Sequence, residues 1–193
     1  MSLKERVYSV LVVSAAENFT SSLLSLLPGS QYDPILTVSN VSAARRALLE
    51  REFDFIMVNS PLSDGDGVRF AIDACQKGAV VLLFARSEMY EGIFDKVAEH
   101  GVFTLPKPTS RPIVAQGLGW MISARERLRR LEKKTVSIEE KMAEIRLVNH
   151  AKWLLIEKEA MSEPDAHRYI EKQAMDRCVS RKEVAEEIIA RYP

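Results

Sequence analysis

Between Val7 and about residue 110 the chain alternates short apolar runs with amphipathic helical patterns, and it does so repeatedly. The apolar runs are Val7–Ser14, Ile35–Ser39, Phe53–Asn59, Ala79–Ala85 and Val102–Leu105. Between them, apolar residues recur at helical spacing over Asn18–Leu27, Ser42–Arg51, Gly67–Lys77 and Glu88–His100. Near-continuous runs of Val, Ile, Leu and Phe read as strands buried on both faces rather than as half-exposed antiparallel strands. Helices between such strands supply the crossovers that parallel neighbours require. Ser110-Arg111-Pro112 then provides a cap and an early-turn proline for a fifth helix.

Five βα units of this length imply an α/β fold, a flavodoxin-like doubly wound five-stranded parallel sheet. Its functional crevice lies at the carboxyl ends of the strands. The chain beyond residue 120 is of a different kind. From Met121 to Lys152 neither proline nor glycine interrupts it, which predicts a long linker helix. Ser162-Glu163-Pro164-Asp165 is an S-x-x-D helix start, and Ser180-Arg181-Lys182-Glu183 is an S-x-x-E capping box. Behind these starts Ala166, Tyr169, Ile170, Ala174 and Val184, Ile188, Ile189 fall at core spacing. The expected organisation is an α/β domain over 1–120, a helical linker or coiled coil over 121–135, and an all-α three-helix domain over 136–193.

The long helix also carries a 3-4 apolar pattern. Met121, Leu128, Thr135, Met142 and Asn149 occupy a positions; Ala124, Leu131, Ile138, Ile145 and Lys152 occupy d. Arg127 and Lys134 at g would face Glu132 and Glu139 at e of a parallel partner, whereas Lys141 facing Arg146 would repel. The pattern predicts a homodimer through Met121 to Lys152, or else one helix packed against its own domains. Arg125, Arg127, Arg129, Arg130, Lys133 and Lys134 interleave with leucines and read as a solvated face.

Charge tempers any nucleic-acid reading. Net charge is zero; from Met121 onward 16 Lys+Arg stand against 14 Asp+Glu, a surplus of two. Bulk attraction to a polyanion needs a larger excess, so such binding would have to be local and selective. The longest apolar runs are too short to span a bilayer, and no secretory signal opens the chain. Met1-Ser2-Leu3 reads as an appended leader. Cys75 and Cys178 lie in different predicted domains and suggest no disulfide or metal framework. A cytoplasmic protein is expected. His100, His150 and His167 lack a sequence partner for catalysis or metal, and no phosphate loop, nucleophile elbow or zinc motif is present. The chain reads as no enzyme, with no cofactor.

The order Ala151-Lys152, Ser162-Glu163, Ala166, Ala174-Met175, Ser180, Val184-Ala185 resembles the ANTAR domain, a three-helix RNA-binding module of bacterial transcription antiterminators. The resemblance covers roughly the last 50 residues. It implies RNA contact by Ala151, Lys152, Arg168, Lys172, Gln173, Arg181 and Lys182, with Lys152 on a phosphate and Gln173 on a base. Family members usually carry a small residue where Trp153 stands; here Trp153 is expected to be buried.

The strand FDFIMVN, the loop SPLSDGDG and Lys107-Pro108 resemble the receiver domain of bacterial response regulators. In that family an acidic pair binds Mg²⁺, an aspartate accepts the phosphoryl group, and a hydroxyl residue and a lysine contact it. The matching positions here are Ser14 and Ala15, Asn59, Phe84 and Lys107, so only the lysine is retained. A hard divalent cation needs carboxylate charge, and an amide is a poor nucleophile. The resemblance thus implies a pseudo-receiver with a degenerate phosphorylation site and no metal. Asp64 and Asp66 read as turn formers before Gly65 and Gly67. A cis Lys107–Pro108 bond is also expected from the resemblance.

Together these resemblances imply an antitermination regulator that stabilises tandem hairpins in a leader transcript, with a regulatory protein or a small ligand at the pseudo-receiver. Two other readings stay open: a protein-interaction adaptor built on the pseudo-receiver, and a DNA-binding response regulator.

Overall fold

The computed structural model describes residues 6–192, so the leader read at Met1–Leu3 lies outside the described residues. Two compact units meet between Arg129 and Arg130. The first holds five parallel strands, β1 (Tyr8–Val13), β2 (Tyr32–Val38), β3 (Phe55–Asn59), β4 (Val80–Arg86) and β5 (Phe103–Lys107), in the order β2-β1-β3-β4-β5. The crossovers are α1 (Glu17–Leu24), α2 (Val41–Glu50), α3 (Val68–Gln76) and α4 (Tyr90–Val97), and α5 (Arg111–Glu159) comes after β5. This is the doubly wound arrangement that the alternating pattern predicts.

The three central strands each feed two cores because successive side chains point to opposite faces. Leu11, Val13, Ile56, Val58, Val81 and Leu83 meet Ala44, Ala71, Ile93 and Val97 from α2, α3 and α4. Val12, Phe55, Met57, Leu82 and Phe84 meet Leu23 of α1 and Val114, Leu118 and Met121 of α5. Gly67 takes a left-handed φ of 73° before α3, and a Cβ there would lie 2.8 Å from Val58 Cγ1. No side chain fits that turn.

β2 begins at Tyr32, ahead of the expected Ile35, and runs through Pro34. It can do so because it is an edge strand, where a missing N–H leaves no ladder bond broken. Pro106 in the other edge strand, β5, obeys the same rule. The Lys107–Pro108 bond is cis.

The start of α5 departs from the heptad reading. Met121 is fully buried in the first unit, and Ala124 and Leu128 pack against the same core. These three positions are therefore withdrawn from an intermolecular seam. Leu131, Ile138, Met142 and Ile145 remain exposed. Nor is the basic cluster wholly solvated. Asp54 accepts from Arg125 Nε and Arg129 Nη2, both at 2.8 Å, and from Ser9 N at 3.1 Å. Glu126 accepts from Arg6, from Tyr8 Oη at 3.2 Å and from Arg129 Nη1 at 3.1 Å. The Arg129 guanidinium also lies 5.2 Å above the Tyr8 ring. These bonds clamp the helix to the amino ends of β1 and β3.

In the second unit the end of α5 packs with α6 (Glu163–Arg177) and α7 (Arg181–Arg191) around Ala151, Leu155, Ala166, Ile170, Ala174, Val184, Ala185 and Ile188. Both predicted caps form. Ser162 accepts from Asp165 N, Ser180 accepts from Glu183 N, and each hydroxyl donates to the carboxylate of the same partner. The turn between α6 and α7 is tight although it lacks glycine: Cys178 itself adopts φ 53°, at a cost of roughly 1–2 kcal/mol.

Candidate nucleic-acid interface and the degenerate crevice

At the carboxyl ends of the strands the fold gathers Ser14, Asn59, Phe84 and Lys107, while Ala15 stands exposed beside them. Asn59 Nδ2 donates to Ser14 Oγ at 3.0 Å. Lys107 Nζ donates to Asn59 Oδ1 and, at 2.6 Å, to the Ser60 carbonyl oxygen. The amide thus uses its donor and its acceptor within the crevice, and the lysine reaches it as it would reach a carboxylate. Phe84 pairs with Asn59 across the β3–β4 ladder and is fully buried, with Phe19 set edge-on at 4.9 Å. An aromatic ring occupies the position at which receivers place a hydroxyl.

The loop aspartates have other work. Asp64 accepts from Val41 N, Ser42 N and Ser42 Oγ, all at 2.9 Å, and so caps α2 from a distant loop. The backbone N–H groups of Val41 and Ser42 hold its carboxyl below the usual range. Asp66 accepts from Val68 N at the start of α3. Among the described residues no cluster of three or more His, Cys, Asp or Glu is placed to hold a metal ion.

The second unit carries a cleft of about 390 Å³ between α5, α6 and α7. Ile145 and Val148 give it an apolar floor; Lys141, Asn149, Lys152, His167 and Arg181 surround it. Of the residues that the sequence singles out, the cleft brings together Lys152 and Arg181. Arg168 and Lys172 lie on the exposed surface of α6, one residue on from His167 and Glu171 and hence about 100° further round the helix. Lys182 is likewise exposed away from the cleft, and Gln173 is half-buried outside it. Ala151 is fully buried in the helical core, so its contribution is packing rather than contact. Sequence reasoning missed Lys141, Asn149 and His167, which reach the cleft only because three helices converge.

Two of the three lysine and arginine side chains there, Lys152 and Arg181, have carboxylate partners. Lys152 Nζ lies 2.8 Å from Glu163 Oε1, and Arg181 lies 3.5 Å from Glu144 and 3.8 Å from Glu171. The Lys152 hydrogen bond and charge hold the Glu163 carboxyl below its usual range. The expected burial of Trp153 is overturned: its side chain is 69% exposed. Ala151 and Leu155 turn inward on that stretch of α5, which leaves Trp153 facing solvent. It stands one turn beyond Asn149 at i+4 spacing, on the helical row that runs into the cleft.

Comparison with known proteins agrees with both halves. The ANTAR domain family matches residues 137–189. The transcriptional regulatory protein PdtaR of Mycobacterium tuberculosis (strain H37Rv) is 26% identical over 137 residues, covering 70% of this chain and 67% of that protein. The aliphatic amidase regulator of Pseudomonas aeruginosa (strain PAO1) is 31% identical over 97 residues, and the match spans about half of each chain, 49% and 47%. Among solved structures, the signal receiver domain of an HD domain-containing protein from Pseudomonas fluorescens Pf-5 superposes with a TM-score of 0.58 at 18% identity. It covers 67% of this chain and 96% of that one. A CheY-like receiver domain from Methanospirillum hungatei JF-1 gives 0.54 at 13% identity over 63% and 98%. The chain therefore joins a domain with the response-regulator receiver fold to an ANTAR domain at residues 137–189.

Proposed function

We propose that this chain is an RNA-binding transcription antitermination regulator whose receiver-like domain works without phosphorylation. The observation that carries the reading is the ANTAR match over residues 137–189, with Lys152 and Arg181 meeting at one cleft inside it. RNA duplexes hide their bases in a deep, narrow groove, so a small helical domain reads bases splayed from a loop. The cleft suits that task. Ile145 and Val148 offer an apolar seat, Asn149 a hydrogen-bonding amide, Lys141, Lys152 and Arg181 phosphate partners, and Trp153 a stacking platform beside them.

The mechanism is mass action on RNA folding. A ligand that binds one of two competing folds shifts the equilibrium by its differential affinity. Holding a leader hairpin prevents the competing terminator from forming, and transcription continues. No catalytic step or cofactor enters. The exposed Leu131, Ile138 and Met142 stripe suits a helix-to-helix homodimer, which would present two ANTAR units to tandem hairpins and gain by effective concentration. Titrating the full chain with a labelled two-hairpin RNA and with its single-hairpin halves tests this reading. Tighter binding of the tandem RNA is expected. The carboxylates beside Lys152 and Arg181 favour a second reading, an adaptor whose ANTAR unit no longer binds RNA, and absence of RNA affinity would support it.

Phosphorylation independence has its own test. Neither the native protein nor Asn59→Asp should gain phosphoryl mass with Mg²⁺ and acetyl phosphate. Ser14 and Ala15 supply no metal-binding carboxylate, and the Phe84 ring fills the crevice. A stoichiometric, hydroxylamine-labile adduct on the native protein would overturn it.

A further inference from the structure

The first unit retains a cation that meets no carboxylate among the described residues, its ammonium lying 5.9 Å from the centre of the Phe19 ring. Lys107 is half-buried, and its hydrogen-bond acceptors, Asn59 Oδ1 and the Ser60 carbonyl, are both neutral. A partly desolvated ammonium without a counter-ion is unfavourable. Burial, with the Arg86 charge adding to it, pushes the ammonium below its ordinary pKa. An ammonium has three donors, and the two neutral acceptors leave one over.

Lys107 lines the wall of a cleft of about 360 Å³ between α1 and the start of α5. Phe19, Leu23, Leu26, Phe84 and Val114 make its floor apolar, and Arg111 stands at its rim with no carboxylate in ion-pair distance among the described residues. The volume lies within the roughly 300–1,000 Å³ range of small-molecule sites, which combine apolar walls with a few convergent polar groups. It also lies at the carboxyl ends of the strands, where this fold binds ligands.

We infer that this cleft binds a small amphiphilic anion, an apolar body seated on Phe19 and Leu26 with its carboxylate against Lys107 and Arg111. The apolar floor disfavours a free inorganic anion, and two cations without a carboxylate partner among the described residues favour an anionic guest over a neutral one. Such a ligand would bridge α1 and the first turn of α5, and so give the receiver-like domain an effector input where phosphoryl transfer is absent. The inference rests on the first unit alone and stands whether or not the chain binds RNA.

The test uses the full chain labelled with ¹⁵N and two probes of the same apolar body, 4-phenylbutyrate and 4-phenylbutanol. The acid should shift amide signals within residues 18–26 and 107–114 and bind about tenfold tighter than the alcohol, as expected for one charge-assisted hydrogen bond. Lys107→Met should reduce that preference, and Lys107→Met with Arg111→Met should erase it, while alcohol binding stays in place. Ser22→Trp, which puts an indole into the cleft from exposed α1 surface, should abolish both, with circular dichroism reporting the fold. Equal affinity for the two probes, or no shifts in these segments, overturns the inference. So does inorganic phosphate that reproduces the shifts of the acid. Shifts in these segments on raising protein concentration without any probe would seat a second copy there instead, and also overturn it.

Discussion

Asp54→Ala is expected to destabilise the first unit by on the order of 2–3 kcal/mol, in the range for loss of charge-assisted hydrogen bonds at a part-buried site and below the cost of breaking a fully buried ion pair. Asp54 sits beneath Arg125 and Arg129, with 13% of its side chain exposed. Its loss leaves two guanidiniums partly desolvated without that countercharge. Asn should be milder, because an amide oxygen still accepts from one arginine. Urea unfolding followed by Trp120 fluorescence in a Trp153→Phe background reports on the first unit separately, which matters because two units need not unfold together. The pH dependence comes from the same contacts. Burial pushes the Asp54 carboxyl up, but the hydrogen bonds from Arg125 and Ser9 and both arginine charges outweigh it, leaving it below its usual range. Glu126 behaves alike: burial is offset by the bonds from Arg6 and Tyr8 and by the charges of Arg6 and Arg129. Both carboxyls bind a proton less readily folded than unfolded, so their stabilisation is present above about pH 4, the unfolded value, and is lost as pH falls toward the depressed folded values. The native acid limb should be steeper than that of Asp54→Ala. A change in stability below about 0.5 kcal/mol, typical of an ordinary surface site, would show that the cluster does not hold α5.

That cluster also shows where the sequence ceases to be readable. The central strands announce themselves locally, because runs such as VLVV and VVLLF have nowhere to go but a sheet interior. The degenerate crevice is legible for a similar reason, since the resemblance anchors Ser14, Asn59 and Lys107 to strand ends. Arg125 and Arg129, however, look like any basic stripe on a helix. Their partner Asp54 lies 71 and 75 positions away, and only the folded sheet brings it under α5. Met121 and Leu128 fit a coiled-coil seam in the sequence, yet the nearer apolar surface of the sheet takes them first. Trp153 fails differently. Its hydrophobicity argues for burial, but on a helix the direction of one side chain is set by its neighbours. Once Ala151 and Leu155 face the core, Trp153 cannot. The cleft around Lys152 draws on three helices, so no single segment reveals Lys141 or His167 as members.

At that cleft the proposed contacts separate by their response to salt. A base stacked on Trp153 contributes through its π-face, so Trp153→Ala should weaken binding of a two-hairpin RNA by about 1–3 kcal/mol, or roughly 5- to 150-fold. The slope of affinity against salt should stay unchanged. Trp153→Phe should recover most of the loss. Lys152→Ala and Arg181→Ala should each weaken binding and also flatten that slope by about 0.7–0.9, one counterion-release unit. Lys152 has 17% of its side chain exposed, so Lys152→Met, which keeps the apolar stem, guards against a packing effect. Glu163→Gln should act in the opposite direction. It removes the carboxylate 2.8 Å from Lys152, frees the ammonium for phosphate, and should raise affinity for hairpin and scrambled RNA alike, with a loss of selectivity. Fluorescence of Trp153 in a Trp120→Phe background supplies an independent signal, since stacking should quench it as RNA is added. If the native chain binds RNA while Trp153→Ala binds equally well and the Trp153 emission does not change, the stacking role is wrong and the cleft alone holds the RNA. If Trp153→Ala instead lowers the salt slope, the loss reflects displaced phosphate contacts, and the helix row through Asn149 is not the base-reading face.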